Sequence, residues 1–247
     1  MKTLINVLLV MLSTLLITQC EKEPDLPDPN EPVDIPDQRF LKALIDLGVD
    51  INGDSVITHG EARDIHKLIL SIVLNPEEVL DLTGIDAFIY LDTLFCSHTS
   101  IGHLDLSNNE ALLVIDCHGC SLKSLDVSGN RKLTELGLGT CNIEIRNELT
   151  ELDISNCKNL EVLYVDRNSL TSLDISNQTA LKELSCGENE LTTLDVSNNT
   201  TLEFLYLGKM PTLTKVCVWT FPFPPPGVEF YAEGSPNISF TIDCSQN

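Results

Sequence analysis

Asp50, Asn52, Asp54, Thr58 and Glu61 put side-chain oxygens at positions 1, 3, 5, 9 and 12 of a twelve-residue stretch, and the Val56 carbonyl falls at position 7. A hard divalent cation such as Ca2+ takes six to eight oxygens, and a closing glutamate can supply two of them. Asp50–Glu61 is therefore a candidate calcium loop. It stands alone in the chain, which favours a static clamp over a sensor. Ser55 occupies position 6, where glycine is expected because the turn needs an unusual backbone geometry. The same residues also read as an Asn/Asp-rich turn held by side-chain-to-backbone bonds without metal.

A second candidate chemistry lies in Cys117-His118-Gly119-Cys120, a C-x-x-C with an internal histidine of the kind used for metal or redox work. Its weight depends on register. L-D-L-S at Leu104–Ser107 recurs as L-D-V-S at Leu125–Ser128, L-D-I-S at Leu152–Ser155 and Leu173–Ser176, and L-D-V-S at Leu194–Ser197. The spacings are 21, 27, 21 and 21 residues. An alternating phrase, leucine-x-x-leucine-x-apolar, runs through Leu160–Leu163–Val165 and Leu181–Leu184–Cys186. A fixed period of this size marks a solenoid whose units bury their apolar edges only against one another.

Set in that period, Cys96, Cys117 and Cys186 share an inward position filled elsewhere by Leu138, Val165 and Leu207. Cys120, Cys141 and Cys157 take a turn position held elsewhere by Asn109, Asn130, Asn168, Asn189 and Asn199. A small hydrogen-bonding side chain there satisfies turn backbone, each bond contributing about 1 kcal/mol net. A structural role for these cysteines follows, with zinc or redox chemistry as the alternative. One unit carries six extra residues, best placed at Ile143–Glu148.

One unit written out, from Leu181 to Asn199, holds two nested halves of the form L-x-x-L-x-L-x-x-N. The sequence resembles the leucine-rich repeat family, and its L-D-L/V-x-x-N half is similar to the short bacterial subtype called IRREKO. The calcium stretch resembles an EF-hand loop, flanked by helix-compatible segments at Gln38–Leu47 and Glu61–Leu70. These resemblances imply an α/β repeat, a leucine-rich repeat β-solenoid with short parallel strands in two back-to-back sheets. A small N-terminal helical cap and a C-terminal cap close it.

Residues 1–19 read as a signal peptide, with Lys2 before an apolar run from Leu4 to Ile17. Ile17-Thr18-Gln19-Cys20 resembles a bacterial lipobox, which would make Cys20 the lipidation site. Glu21-Lys22-Glu23 looks like an acidic surface-sorting tag. Residues 20–37, rich in proline and carboxylates, are expected to be a disordered tether. Residues 38–78 are assigned to the helix-loop-helix cap, 79–216 to the repeats and 217–247 to the C-terminal cap, where a Cys217–Cys244 disulfide is expected. Export to the outer membrane as a lipoprotein is expected, at the cell surface or alternatively facing the periplasm.

Lys plus Arg number 15 against 37 Asp plus Glu, a formal net charge of −22. That field repels nucleic acid and anionic lipid, so the membrane is met only through the lipid anchor. The outward columns of the first sheet gather aromatics beside carboxylates. Tyr164, Asp166, Arg167, Phe204 and Tyr206 are the expected contacts for a protein or glycan on the concave face. No nucleophile elbow, zincin helix or phosphate loop is present, so the chain reads as a monomeric, non-enzymatic recognition protein. The competing readings are a structural subunit of an outer-membrane nutrient-uptake assembly and a glycan hydrolase using Asp116 or Asp166.

Overall fold

The computed structural model describes residues 26–70, 81–140 and 146–244. The signal segment, Cys20 and Cys141 lie outside the described residues. Two helices, α1 (Gln38–Asp46) and α2 (His59–Arg63), precede a run of three-residue strands. In chain order the strands are β1 (Lys67–Ile69), β2 (Thr93–Phe95), β3 (His103–Asp105), β4 (Val114–Asp116), β5 (Ser124–Asp126), β6 (Glu135–Gly137) and β7 (Val162–Tyr164). Then come β8 (Glu183–Ser185), β9 (Thr193–Asp195), β10 (Phe204–Tyr206), β11 (Lys215–Cys217), β12 (Glu229–Tyr231) and β13 (Ser239–Thr241).

A three-residue strand presents one side chain inward and two outward. The inward residues are Leu68, Leu94, Ile115, Leu136, Leu163, Leu184, Leu205 and Phe230. They stand in strict parallel register through one eight-stranded sheet, ordered β1-β2-β4-β6-β7-β8-β10-β12. From Leu68 to Leu205 each is 0 or 1% exposed. Burial of one such side chain contributes about 1.5–3 kcal/mol, so the stack rather than any single strand holds the fold. The architecture is the expected parallel β-solenoid.

The second sheet is not continuous. It consists of the pair β3-β5 and the triple β13-β11-β9, while Leu152–Ile154 and Leu173–Ile175 form no ladder. Ile154 and Ile175 are nonetheless 1% exposed, so packing persists where strand pairing stops. The aspartate of each L-D-x-S phrase explains the sharp exit on this side. Asp105, Asp126, Asp153, Asp174 and Asp195 each accept a bond from the backbone N–H two residues on, at 2.8 or 2.9 Å. This is the Asx turn that short carboxylates favour.

Side-chain amides connect the coils. Asn168 Nδ2 donates to the carbonyls of Leu138 and Val165, and Asn189 Nδ2 to those of Val165 and Cys186. On the other edge Asn109, Asn130, Gln178 and Asn199 do the same work, each donating two bonds to the coil before it. Gln178 was not anticipated in this ladder; its longer side chain reaches the carbonyls of Ile154 and Cys157. The insertion also shifts. Asn147, 1% exposed, donates to the Cys117 and Leu138 carbonyls and accepts from the Cys120 and Leu122 amides. It therefore holds the ladder position assigned from sequence to Cys141, and the extra residues fall between Thr140 and Asn147. An amide can bridge four backbone groups there, whereas a thiol cannot.

Both ends depart from expectation. Glu61–Leu70 is not one helix: α2 stops at Arg63, and β1 adds to the sheet edge at β2. The unpaired edge of β2 offers backbone bonds to a strand, and Leu68 enters the inward stack. Residues 28–37 are not a free tether. Val33 donates to Ile57 O at 2.8 Å, His59 to Glu31 O at 2.9 Å, and Ile35 is buried. At the far end, β12 and β13 extend both sheets by one more coil, with Phe230 and Phe240 in place of leucine. Phe223 packs on Trp219, Phe230 and Phe240 at centroid distances of 5.4, 5.7 and 5.0 Å. The structure joins Cys217 to Cys244, with Cα atoms 5.7 Å apart, tying β11 to the chain end.

Candidate functional site

The outward positions of the eight-stranded sheet are uneven in bulk, and the unevenness shapes a trough. Side chains added at four glycines would collide with neighbours. A Cβ on Gly187 would lie 2.3 Å from Tyr206 Cε1, and one on Gly208 2.5 Å from Tyr206 Oη. A Cβ on Gly137 would lie 2.4 Å from His118 Cε1, and one on Gly139 2.6 Å from Asp166 Oδ1. Their absence lets Tyr206 lie along the sheet over two coils, and lets His118 and Asp166 lean across a third. The result is a trough of about 600 Å³ lined by His118, Thr140, Tyr164, Asp166, Arg167, Glu183, Ser185, Glu188, Phe204 and Tyr206.

All five residues singled out for partner contact line this trough. Tyr164 comes from β7, Phe204 and Tyr206 from β10, and Asp166 and Arg167 from the turn after β7. Sequence reasoning missed Glu183, Ser185 and Glu188, although the 21-residue period puts Glu183 level with Phe204 and Ser185 level with Tyr164 and Tyr206. It also missed the signal in the glycines, which mark where neighbouring side chains can lie flat.

Hydrogen bonds fix the trough's polar groups. Tyr164 Oη donates to Glu183 Oε2. Burial first, and then the Glu183 carboxylate, push the Tyr164 phenol up to about 12, so it stays a donor at any physiological pH. Ser185 Oγ donates to Asp166 Oδ1 at 2.9 Å. His118 Nδ1 lies 2.5 Å from Asp116 Oδ1, which also accepts from Ser97 Oγ. The Asp116 carboxylate, against the effect of burial, holds the His118 imidazole above its usual range. Asp116 itself is held below its own range, because the bonds from His118 and Ser97 outweigh burial.

One wall carries strain. Arg167, Glu188 and Lys209 occupy the same repeat position and all adopt left-handed backbone, with φ of 57, 54 and 55°. For residues with a Cβ this conformation costs roughly 1–2 kcal/mol. It persists because the neighbouring residue of each coil is locked into the stack, and it aims the three side chains at one another. Arg167 Nε and Lys209 Nζ both reach Glu188 Oε1, at 3.0 and 3.2 Å. Glu188 is thereby held below the ordinary carboxylate range, against burial. The wall is a rigid ion-paired rim, while Asp166 and Glu183 on the floor accept bonds from neutral hydroxyls.

The Asp50–Glu61 loop is wound by bonds from its own backbone amides to its side-chain oxygens. Asp50 Oδ1 and Oδ2 accept from the Gly53 and Ser55 amides at 2.7 and 2.9 Å, Asn52 from Asp54, and Asp54 from Val56. Ser55 adopts φ 65°, the left-handed geometry that position 6 demands. Glu61 Oε1 accepts from the Ile51 amide and Oε2 from the amide and hydroxyl of Thr58, forming the capping box of α2. Asp50, Asn52, Asp54, the Val56 carbonyl, Thr58 and Glu61 are an all-oxygen donor set in one loop, chemically suited to a hard cation. Residues 31–33 pair with the end of this loop through the Pro32–Thr58 bridge.

Among known proteins, the LVIVD repeat family matches residues 163–186. No curated protein sequence matches the chain. Solved structures are similar at low identity. Internalin C2 of Listeria monocytogenes aligns at 20% identity over 87% of this chain and 99% of its own length, with a TM-score of 0.61. The functional domain of InlJ from Listeria monocytogenes, described as including a cysteine ladder, aligns at 21% over 74% of this chain. That alignment spans 57% of the InlJ domain, with a TM-score of 0.43. A leucine-rich repeat protein of Leptospira interrogans aligns at 18% over 64% of this chain and 52% of its own, with a TM-score of 0.39. The chain has the leucine-rich repeat fold. No helix among the described residues is long and apolar enough to cross a membrane.

Proposed function

We propose that this chain is a non-enzymatic recognition protein whose trough on the eight-stranded sheet receives a basic side chain of a partner protein. The observation that carries the reading is the floor itself. Asp166 and Glu183 stand beside the Tyr164 and Tyr206 rings, and no cation pairs with either carboxylate among the ion pairs of the described residues. A lysine or arginine placed there gains carboxylate bonds and ring contact together, the combination that makes interface anchors. The protein's net charge of −22 steers such a partner toward it.

A glycan is the second reading, favoured by the Tyr206 ring lying flat over Gly187 and Gly208, a surface on which a sugar ring can stack. Binding of the full chain to a library of lysine- and arginine-bearing peptides and to a glycan array separates the two. The first reading expects peptide binding that Asp166→Asn and Tyr206→Ala each weaken. Glycan binding alone transfers the site to the second reading, and peptide binding indifferent to both substitutions removes the trough from the account.

Hydrolysis has less support. A general acid needs a raised carboxyl pKa, and Asp116 is held low. The remaining parts of the reading are proposals of the same kind. The Asp50–Glu61 loop clamps calcium structurally and steadies the N-terminal cap, Cys20 carries a lipid, and the solenoid stands at the outer surface of the cell. A membrane assembly using the chain as a structural subunit would appear in pull-downs from intact cells as a stable complex insensitive to Asp166→Asn.

A further inference from the structure

The register that explains Cys117 and Cys120 as repeat positions does not explain why three sulfurs meet. Cys96, Cys117 and Cys120 are all 0% exposed, and their Sγ atoms all lie within 4.8 Å of one another. Elsewhere the same inward position is filled by Leu138, Val165 or Leu207, and the turn position by Asn168 or Asn189. Cys186 and Cys157 are buried too but stand outside this group. We propose that Cys96, Cys117 and Cys120 form a three-sulfur site for a soft monovalent d10 cation of the copper(I) class.

The donor set decides the class. All three donors are soft, and thiolates select copper(I) over hard ions. Structural zinc takes four nitrogen or sulfur ligands. Thr99 Oγ1 lies 3.6 Å from Cys120 Sγ and 2.6 Å from the Cys96 carbonyl it donates to. A hydroxyl is a poor fourth ligand for zinc. Three sulfurs at about 2.3 Å from one centre, the metal–thiolate distance, stand about 4 Å apart. That fits the 4.8 Å envelope once Cys96 and Cys117, now 2.6 Å apart, separate around the ion.

Each thiol that binds the cation releases one proton to solvent, and no electron moves.

The test uses the reduced full chain under anaerobic conditions, titrated with copper(I) against a bathocuproine competitor. One equivalent should be retained per chain by the wild type and by Cys186→Leu. It should be lost in Cys96→Leu and Cys120→Asn, substitutions that the repeat itself accepts at those positions and that therefore leave folding intact by circular dichroism. Failure of the wild type to hold copper against the competitor would overturn the site, as would undiminished retention by Cys120→Asn. A peptide map of the unreduced chain that links Cys96 to Cys117 would also overturn it, because those two sulfurs would then be bonded to each other.

Discussion

The two amide ladders look alike in sequence but differ in one bond, and that difference can be measured. Asn189 donates to the carbonyls of Val165 and Cys186, both at 2.9 Å, and its Oδ1 accepts from the Leu170 amide at 3.0 Å. Asn199 donates to Ile175 and Gln178 at 3.1 and 2.8 Å, but its buried Oδ1 has no partner in the structure. At about 1 kcal/mol net per bond, Asn189→Ala forfeits three bonds, about 3 kcal/mol, and strands the Leu170 N–H. Asn199→Ala forfeits two but also removes an unsatisfied oxygen, so its net cost is about 1–2 kcal/mol. The cavity left is the same in chemistry at both sites and cancels in the comparison. Urea unfolding of both variants gives the difference, and native-state hydrogen exchange localises it: Leu170 should lose protection in Asn189→Ala alone. An Asn199→Ala cost equal to or above that of Asn189→Ala, or an unchanged Leu170 exchange rate, would refute the reasoning.

Other outcomes follow from the site. Gly208→Ala puts a methyl against the Tyr206 hydroxyl end and should displace the ring into the trough, abolishing peptide binding while shifting the melting temperature by only a few degrees; retained affinity would contradict the ring's position. The His118 pKa is raised by Asp116, so the pair's contribution to stability is fully present below the unfolded value of about 6.5. It fades as pH rises through the higher folded value, and His118→Gln should therefore flatten the pH dependence of melting above neutrality. Glu61 is held below its usual range by the Thr58, Ile51 and Asn52 bonds, which outweigh burial. Its contribution is present above the unfolded pKa of about 4.3 and disappears as pH falls through the folded one. Calcium should raise the melting temperature of the wild type and leave Glu61→Gln unmoved; equal response of both would remove the proposed clamp. Reduction of Cys217–Cys244, which closes a 27-residue separation, should lower stability by about 3 kcal/mol, read as earlier urea unfolding of the C-terminal coil.

The solenoid was legible because its signal is periodic: Leu163, Leu184 and Leu205 recur at 21 residues and land in register. The ends were not, because there the period stops and geometry takes over. Ile65, Leu68 and Ile69 have helical spacing, yet the open edge of β2 offers Lys67–Ile69 a full set of backbone bonds that a second turn of helix does not. Pro32 and Val33 sit in a stretch whose composition reads as spacer, and only the three-dimensional closeness of Ile57 gives their backbone a partner. The insertion was found in the right unit but a few residues late, since spacing alone cannot tell that Asn147, not Cys141, meets four buried backbone groups. Of the site, the aromatics, Asp166 and Arg167 were visible as outward residues, while Glu188, in the same turn column as Arg167, shows its role only through the ion pairs that the fold brings to it.

The trough itself is an effect of subtraction. A parallel stack repeats every outward position at strand spacing, so uniform bulky side chains would crowd one another into a closed surface. Glycine at 137, 139, 187 and 208 removes four Cβ atoms from the two outward columns, and the side chains of the adjoining coils fall into the space. Tyr206 then presents its ring rather than its edge, and Asp166 moves within reach of Ser185. The ion-paired rim of Arg167, Glu188 and Lys209 fixes the wall at the cost of three strained backbones. Stability alone would place glycine at those three left-handed positions and side chains on the sheet. This chain does the reverse at both, and the shape of the trough is the result.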